Sequence, residues 1–279
     1  MWCERAGGMN RVLAVLLALA AMAVLLGLPL AAVFVEALAH GLGPALAALS
    51  DPDAVSAIRL TLLVAAIAVP VNAVCGMTGA WCVARFRFPG RMLLLTLIEL
   101  PLSVSPVISG LVWILLFGAR GWFGPALQRA GVQIIFAVPG LVLATMFVTF
   151  PFVARQLLPL LQEQGRTEEE AAMTLGAPAW RMWLHVTLPN IRWALLQGVL
   201  LCNARAMGEF GAVAVVSGRI RGQTNTMPLH IEALYDDFQA PAAFAVAALL
   251  AGLALVTLAA KAGLERWSRR GDRAADDVP

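Results

Sequence analysis

The sequence predicts an all-α integral membrane protein with six transmembrane helices and a helix-turn-helix on its cytoplasmic side. Sixty per cent of its 279 residues are hydrophobic and 13% are charged, whereas about one quarter of the residues in soluble domains are charged. The mean hydropathy is +0.81. Apolar runs of roughly twenty residues recur along the chain, and each is long enough to cross a hydrocarbon core of about 30 Å as a helix.

A single transmembrane domain is predicted for residues 1–272, followed by a frayed tail of mixed charge at residues 273–279. One polar hairpin, residues 163–190, separates the fourth span from the fifth. The predicted spans lie near residues 12–35, 60–84, 92–118, 138–158, 191–216 and 242–260.

The first predicted span, residues 12–35, follows Arg5 and Arg11 and would reach roughly 36 Å as a helix. A signal peptide has a shorter apolar core and a small-residue cleavage site, so we interpret this run as a retained helix with its N-terminus inside. Residues 36–59 contain several turn-forming residues and are predicted to form an outer loop with a short amphipathic helix.

The second and third spans contain residues that are uncommon in membrane helices. The second contains Pro70, which is tolerated where neighbouring groups satisfy the carbonyl that it frees. The third contains Glu99, Pro101 and Pro106. A carboxylate beside two prolines indicates a broken helix inside the bundle or along a cavity. The turn between these spans, residues 85–91, carries three arginines and is therefore assigned to the cytoplasm.

The distribution of basic residues sets the topology. Of the 20 lysines and arginines, 14 fall on segments assigned to the cytoplasm, five on the outer side and one within a span. This asymmetry places both termini in the cytoplasm. The fifth and sixth spans are joined by an outer loop, residues 218–241, whose Arg219 and Arg221 either attract an anion or an acidic protein surface or are simply solvated.

The polar hairpin contains signals for two short helices. Thr167 and Glu170 have the spacing of a capping box, and three consecutive glutamates place negative charge at a helix N-terminus. Gly176 is predicted to end this helix in the left-handed conformation, and Pro178 can open a second helix at its first position. That second helix, residues 179–185, is unusually apolar for a cytoplasmic loop. It needs a covering surface, either a partner or the rest of this chain.

The residue order of this hairpin resembles the EAA loop of binding-protein-dependent ABC importer permeases. Glutamate and two alanines are followed after three residues by glycine, and after nine more by an aliphatic-x-Leu-Pro sequence. The matching positions are Glu170, Ala171, Ala172, Gly176, Val186, Leu188 and Pro189. In that family the loop is a cytoplasmic helix-turn-helix that docks on an ATPase subunit, and the resemblance implies the same role here.

The resemblance covers most of the chain, and residues 189–224 are most similar to W-type permease subunits of sulfate/thiosulfate importers. It implies a heterodimer with a related T-type permease, an ABC ATPase dimer and a periplasmic sulfate/thiosulfate-binding protein, set in the lipid of a bacterial inner membrane. The implied mechanism is alternating access driven by ATP. Another oxyanion such as molybdate is the alternative substrate.

Arg205 and Glu209 lie deep in the apolar sequence of the fifth span. Residues four apart on a helix share a face, so the two side chains are predicted to pair and to face inward. An unpaired arginine at a helix centre costs about 2.5 to 3.5 kcal/mol on insertion scales, and a neighbouring carboxylate offsets much of that cost. The pair either lines the translocation pathway or only holds adjacent helices together. Glu99 is a second candidate partner for Arg205.

The residues present disfavour several other functions. The single lysine, Lys261, has no glycine-rich phosphate loop before it, so ATP must be bound by a partner, and the chain alone is not expected to be an enzyme. The cysteines and histidines lack metal-ligand spacing, no catalytic grouping stands out, and neither a cofactor nor nucleic acid is expected. A transporter driven by an ion gradient could use Glu99, Arg205 and Glu209 as a proton relay, but such a carrier has no need for an ATPase dock.

Overall fold

The structure is a computed structural model that describes residues 13–276, with side-chain surroundings described as far as residue 264. All regular elements among these residues are helical, as the sequence predicts. They are α1 (Leu13–Leu38, with a π-helical turn at Ala23–Gly27), α2 (Leu42–Ser50), α3 (Pro52–Arg85), α4 (Arg91–Ser103), α5 (Pro106–Phe117), α6 (Gly124–Arg129), α7 (Val138–Gln164), α8 (Thr167–Thr174), α9 (Ala179–Met182), a second π-helical turn (Trp183–Thr187), α10 (Leu188–Met207), α11 (Gly211–Val216), α12 (Met227–Asp236) and α13 (Ala240–Asp276).

Four of the described helices are long and apolar enough to cross a membrane, namely α1, α3, α7 and the part of α13 at Ala240–Leu264. Helices α4 and α5 form a fifth span if the pair is counted as one, although the two meet at an angle of 111°. Helix α10, within the predicted fifth span, has 20 residues but does not pass the same test of length and hydropathy. The protein is thus multi-pass, and the total of six spans stays a prediction.

Helix α3 begins at Pro52, although the sequence predicts a start near residue 60. Asp51 caps the helix, because its Oδ1 accepts a hydrogen bond from the N–H of Asp53 at 2.8 Å, and Pro52 is favoured at a first helical position. With 34 residues, α3 is about 51 Å long and extends beyond the hydrocarbon core. The predicted outer loop, residues 36–59, is therefore shorter than expected, and its short helix is α2.

Helices α3, α7 and α10 pack closely at the centre of the molecule. A Cβ atom added at Gly76 would lie 2.9 Å from the Cβ of Val153, and one added at Gly198 would lie 3.2 Å from the Cα of Val153. Small residues at such positions let membrane helices approach each other. Asn72 adds a polar link by donating its side-chain amide to the hydroxyl of Thr149 at 2.8 Å. These contacts fix the three helices against one another.

Two of the predicted spans are broken, and their broken parts pack together. Helix α5 starts at Pro106, which has no N–H to continue the preceding helix. The predicted span at residues 191–216 is not one helix, because α10 ends and α11 starts anew at Gly211. A Cβ atom added at Gly211 would lie 2.9 Å from the Cβ of Pro106, and one added at Gly110 would lie 2.8 Å from the Cβ of Val215. The glycines therefore allow α5 and α11 to make direct contact at the two breaks.

Residues 218–241, which are predicted to form an outer loop, are more ordered than a loop because they contain helix α12. Met227, Leu229 and Leu234 on this helix are buried. The N–H of Met227 also donates to the hydroxyl of Thr61 on α3 at 2.8 Å. Helix α12 is thus packed onto the end of the bundle.

Helix α13 extends beyond the predicted end of the sixth span and beyond the predicted end of the transmembrane domain. It has 37 residues, Ala240–Asp276, and so passes the predicted end of the sixth span at residue 260 and the predicted domain end at residue 272. Residues 277–279 of the predicted tail lie outside the described residues, as do residues 1–12.

Candidate coupling hairpin and intramembrane ion pair

The polar hairpin forms a helix-turn-helix, as the sequence predicts. Helix α8 is followed by Gly176, which has a φ of +85°. No atom lies within 4 Å of the position that a Cβ would take there. The backbone conformation, and not crowding, therefore favours glycine at this turn.

The starts of both hairpin helices differ from the prediction. Arg166 is the N-cap of α8, and its side chain makes no cap hydrogen bond. The N–H of Glu170 donates to the carbonyl of Arg166 at 2.9 Å, so the capping box of Thr167 and Glu170 does not form. The reason is Gly165, which turns the chain at a φ of +65° and places the next residue at the cap. Pro178 lies just before α9 and not at its first position.

No loop separates the hairpin from the following membrane helix. The second hairpin helix does not end at residue 185, because the π-helical turn Trp183–Thr187 joins α9 to α10. Leu188 and Pro189 are the first residues of α10. A proline inside a helix removes one backbone hydrogen bond and clashes with the preceding turn, and an extra residue in that turn relieves the clash. Helices α9 and α10 therefore form one continuous helical run.

The three consecutive glutamates of the hairpin have three different environments. Glu168 accepts a hydrogen bond from the side-chain amide of Asn190. Glu169 is only 7% exposed and lies inside the protein. Glu170 is exposed, and its carboxylate has no hydrogen bond or ion pair with any residue that the structure describes. Only Glu170 is thus free for a partner.

Glu169 forms a buried ion pair with Arg85 that sequence reasoning missed. The Nε of Arg85 lies 3.0 Å from Oε1 and 2.9 Å from Oε2 of Glu169. The Nη1 of Arg85 donates to the carbonyl of Leu161 at 2.6 Å, and the hydroxyl of Thr187 donates to Oε1 of Glu169 at 2.9 Å. Sequence reasoning explained each charge by itself: Arg85 by the topology and Glu169 by the helix dipole. Their long separation along the chain carries no local signal that they meet.

Several apolar side chains of the hairpin are exposed, as Glu170 is. They are Met173, Leu175, Trp180 and Leu184. Leu175 is 89% exposed and Trp180 is 59% exposed, and the guanidinium of Arg181 lies 5.3 Å from the ring centroid of Trp180. Met182, which we expected on the same surface, is buried instead. We call Glu170 and the four exposed apolar side chains the hairpin face. An apolar surface of this kind marks an interaction site.

Arg205 and Glu209 pair as predicted, with 3.0 Å between Nη2 and Oε2. They are not on one helix, however, because α10 ends at Met207 and the pair bridges the break before α11. The side chain of Glu209 is 1% exposed and that of Arg205 is 37% exposed. Glu209 also lies one residue before the N-cap of α11, Phe210, and its Oε1 accepts a hydrogen bond from the N–H of Ala212 in the first turn at 3.0 Å. The carboxylate is thus held inside while part of the guanidinium remains accessible.

Glu99 is not a partner of Arg205. It lies on an exposed part of α4, beside the exposed side chains of Leu97 and Leu100. Within the described part of the chain it forms no ion pair. The carboxylate that we expected inside the bundle or along a cavity therefore faces outward in this single chain.

Arg219 and Arg221, which are predicted to lie on the outer side, are paired with acidic side chains. Arg219 lies 3.3 Å from Glu232, and Arg221 pairs with Asp237. Together with Asp236 they line a cavity of 210 Å³. Three carboxylates against two guanidinium groups leave this cavity net negative, which disfavours the attraction of an anion.

The chain matches the family described as binding-protein-dependent transport system inner membrane component over residues 72–270. The chain belongs to this family. It is therefore a membrane component of a transport system and not an enzyme.

Curated relatives match over most of the chain. The sulfate transport system permease protein CysW of Escherichia coli is 54% identical over 243 residues, which cover 87% of this chain and 84% of that protein. The protein of the same name from Synechocystis sp. is 52% identical over 254 residues, which cover 91% and 92% of the two chains. The sulfate transport system permease protein CysT of Escherichia coli is 38% identical over 210 residues, which cover 75% and 76%.

A similar architecture occurs in a bacterial alginate ABC transporter, whose structure was solved in complex with an alginate pentasaccharide-bound periplasmic protein. The TM-score is 0.76 at 17% identity, and the match covers 97% of both chains. At this low identity the likeness shows the fold alone.

Proposed function

We propose that this chain is a permease subunit of an ATP-driven ABC importer that carries sulfate, and also thiosulfate, across the bacterial inner membrane. The observation that carries the proposal is the 54% identity to a sulfate transport permease over 243 residues. Because the match extends over most of the chain, it includes the membrane helices as well as the hairpin.

An ABC ATPase dimer docks on the hairpin face. An exposed carboxylate, Glu170, beside large apolar groups such as Leu175 and Trp180 has the composition of a protein interface, with an apolar core and a charged rim. The small side chains of Ala171 and Ala172 allow a partner to approach α8 closely. The turn at Gly176 sets the angle between α8 and α9. ATP is bound and hydrolysed by the partner, and the chain itself carries no cofactor.

Two related permeases form the membrane unit. The similarity to both a CysW and a CysT protein supports a heterodimer of this W-type chain with a T-type chain. With the hairpin in the cytoplasm, both termini are cytoplasmic and the segment around α12 faces the periplasm. A periplasmic sulfate/thiosulfate-binding protein delivers the anion at that face.

The ion pair of Arg205 and Glu209 lies on the translocation pathway. The accessible guanidinium attracts a divalent oxyanion, and the carboxylate held beside it prevents the anion from being trapped. Since α9 is continuous with α10, movement of the hairpin when the ATPase dimer closes displaces the end of α10 that carries Arg205. Through this connection, closure of the ATPase dimer can move the ion pair directly during alternating access.

The test is uptake of labelled sulfate into vesicles that contain this chain, a T-type permease, the ATPase and the binding protein. We expect uptake that requires ATP and that excess unlabelled molybdate barely reduces. Strong molybdate transport with little sulfate transport would overturn the substrate. Uptake driven by a proton gradient without ATP would identify a secondary transporter, and full activity with this chain in both permease positions would exclude the heterodimer.

A further inference from the structure

A buried polar cluster connects four elements at the base of the hairpin. Arg85 comes from the end of α3, Glu169 from α8, Thr187 from the π-helical turn and the carbonyl of Leu161 from the end of α7. Arg85 is 6% exposed, Glu169 7% and Thr187 2%. We call these four groups the hairpin anchor.

The hairpin anchor holds α8, the helix of the hairpin whose connections to the rest of the chain are flexible turns. Helix α8 has only eight residues and is flanked by Gly165 and Gly176, both at positive φ. Neither glycine has an atom within 4 Å of its Cβ position, so neither turn is confined by packing. Without a side-chain link, α8 could pivot on these two turns, as hinges do. Glu169, in the first turn of α8, supplies a buried link, whereas the hydrogen bond between Glu168 and Asn190 is exposed.

The chemistry of the hairpin anchor indicates that it fixes an arrangement. A buried ion pair generally adds little net stability compared with apolar side chains of similar size. Its bonds, however, have strict geometry: the fork of Arg85 must meet both the carboxylate of Glu169 and the carbonyl of Leu161. The same carboxylate oxygen also accepts the hydroxyl of Thr187. A displacement of α8 by one ångström or more would break the bonds of Glu169 to two neighbouring elements at once, to Arg85 of α3 and to Thr187 of the π-helical turn.

We propose that the hairpin anchor makes α8 move as one body with the cytoplasmic ends of α3 and α7, so that ATP hydrolysis by the docked ATPase is coupled to opening of the membrane helices. Glu169 and Arg85 are positioning residues in this coupling. The inference rests on the proposed function and adds to it, because the continuous helix through α9 and α10 reaches only one membrane helix. The hairpin anchor extends the connection to two more.

The experiment measures sulfate transported per ATP hydrolysed by the complete transporter in proteoliposomes. The test variant is Glu169→Gln, and the matched control is Glu168→Gln, a change of the neighbouring glutamate outside the hairpin anchor. We expect Glu169→Gln to lower the ratio of transport to hydrolysis about tenfold while the ATPase still co-purifies in normal amount. Glu168→Gln should leave the ratio at the wild-type value.

A second variant separates coupling from folding. Arg85→Met combined with Glu169→Leu replaces the buried pair by apolar groups of similar size, which preserves a packed interior. We expect this double variant to assemble and still to hydrolyse ATP with a lowered transport ratio. A wild-type ratio in either assembled variant would overturn the proposal. The unmodified transporter is measured first, and if it showed no ATP-dependent uptake, the proposed function itself would fail.

Discussion

Glu209 is only 2% exposed, and each of its carboxylate oxygens has a separate role. Oε2 lies beside the guanidinium of Arg205, and Oε1 accepts the N–H of Ala212 at the start of α11. At the scale of single residues, this one side chain thus holds a charge and starts a helix. Removal of its partner leaves a buried negative charge, which is costly.

We therefore expect Arg205→Met to destabilise the protein by about 3 kcal/mol, since it leaves the Glu209 carboxylate unpaired. The double change Arg205→Met with Glu209→Gln should recover most of this loss, because the amide keeps an acceptor for Ala212 without a charge. Thermal unfolding of the purified chain in detergent measures both effects. Equal destabilisation in the single and double variants would show that the two side chains are not energetically coupled.

Gly176 allows a second test at a single residue. Gly176→Val should reduce transport severalfold while leaving membrane insertion normal, since a β-branched side chain in left-handed backbone costs about 1 to 2 kcal/mol. Gly176→Asn is the matched control and should retain activity, because asparagine tolerates this conformation. Transport assays with quantified membrane levels distinguish the two, and a fully active valine variant would contradict the predicted role of the turn.

Residues with a strong local preference were predictable from the sequence, and residues that meet only in the folded state were not. Gly176 follows a helical segment at the usual distance for a left-handed turn, and Arg205 precedes Glu209 by four residues, a spacing short enough for the two side chains to meet. The pairing of Arg85 with Glu169 depends instead on how α3 and α8 are placed by the packing of the long helices. No spacing along the chain records that placement.

Helices, too, were predictable where a local pattern defines them and not where packing decides their ends. Apolar length identified α1, α7 and α13, because a membrane demands about twenty apolar residues. The start of α3 was missed since Asp53, Ser56 and Arg59 interrupt the apolar pattern, yet polar residues are allowed where a helix leaves the membrane. The break between α10 and α11 was missed because glycines on both sides of Glu209 can also be read as small residues for close packing.

The hairpin face gives a prediction for an element as a whole. Leu175→Glu combined with Trp180→Asp should lower co-purification of the ATPase at least about tenfold, because charge in an apolar interface core is strongly disfavoured. Phe238→Asp is a suitable control, since that side chain is 95% exposed but does not belong to the hairpin. If both variants retain the ATPase equally, the hairpin face is not its dock.

At the scale of the whole molecule, a buried histidine on α12 links the stability of the fold to pH. His230 on α12 lies 3.4 Å from the side-chain amide of Asn225 through its Nδ1. Burial lowers the pKa of His230, Asp53 and Asp51 on the neighbouring helix act in the opposite direction, and Arg221 adds to the lowering. The folded protein therefore favours the neutral ring.

This gives a defined dependence of stability on pH. The contribution of His230 is complete above about pH 6.5, the pKa of an unfolded histidine, and is lost as pH falls below that value, because the unfolded chain takes up a proton that the folded one resists. The midpoint of thermal unfolding should thus fall as pH drops below about 6.5 in the wild type, and it should fall less in His230→Asn. His185→Gln, a change at an exposed histidine, should keep the wild-type fall, and an unchanged slope in His230→Asn would refute the prediction.

The uninterrupted helical run through α9, the π-helical turn and α10 has a consequence for the length of the chain. Each residue in a helix turns the next by about 100° and advances it by about 1.5 Å. One residue inserted between the hairpin face and Arg205 would therefore rotate Arg205 and the ion pair roughly a quarter turn relative to the hairpin face. Substitutions along this run can be absorbed one at a time, but an insertion or deletion changes the angle between the ATPase dock and the ion pair. The number of residues between the hairpin face and Arg205 therefore sets the angle between that surface and the ion pair.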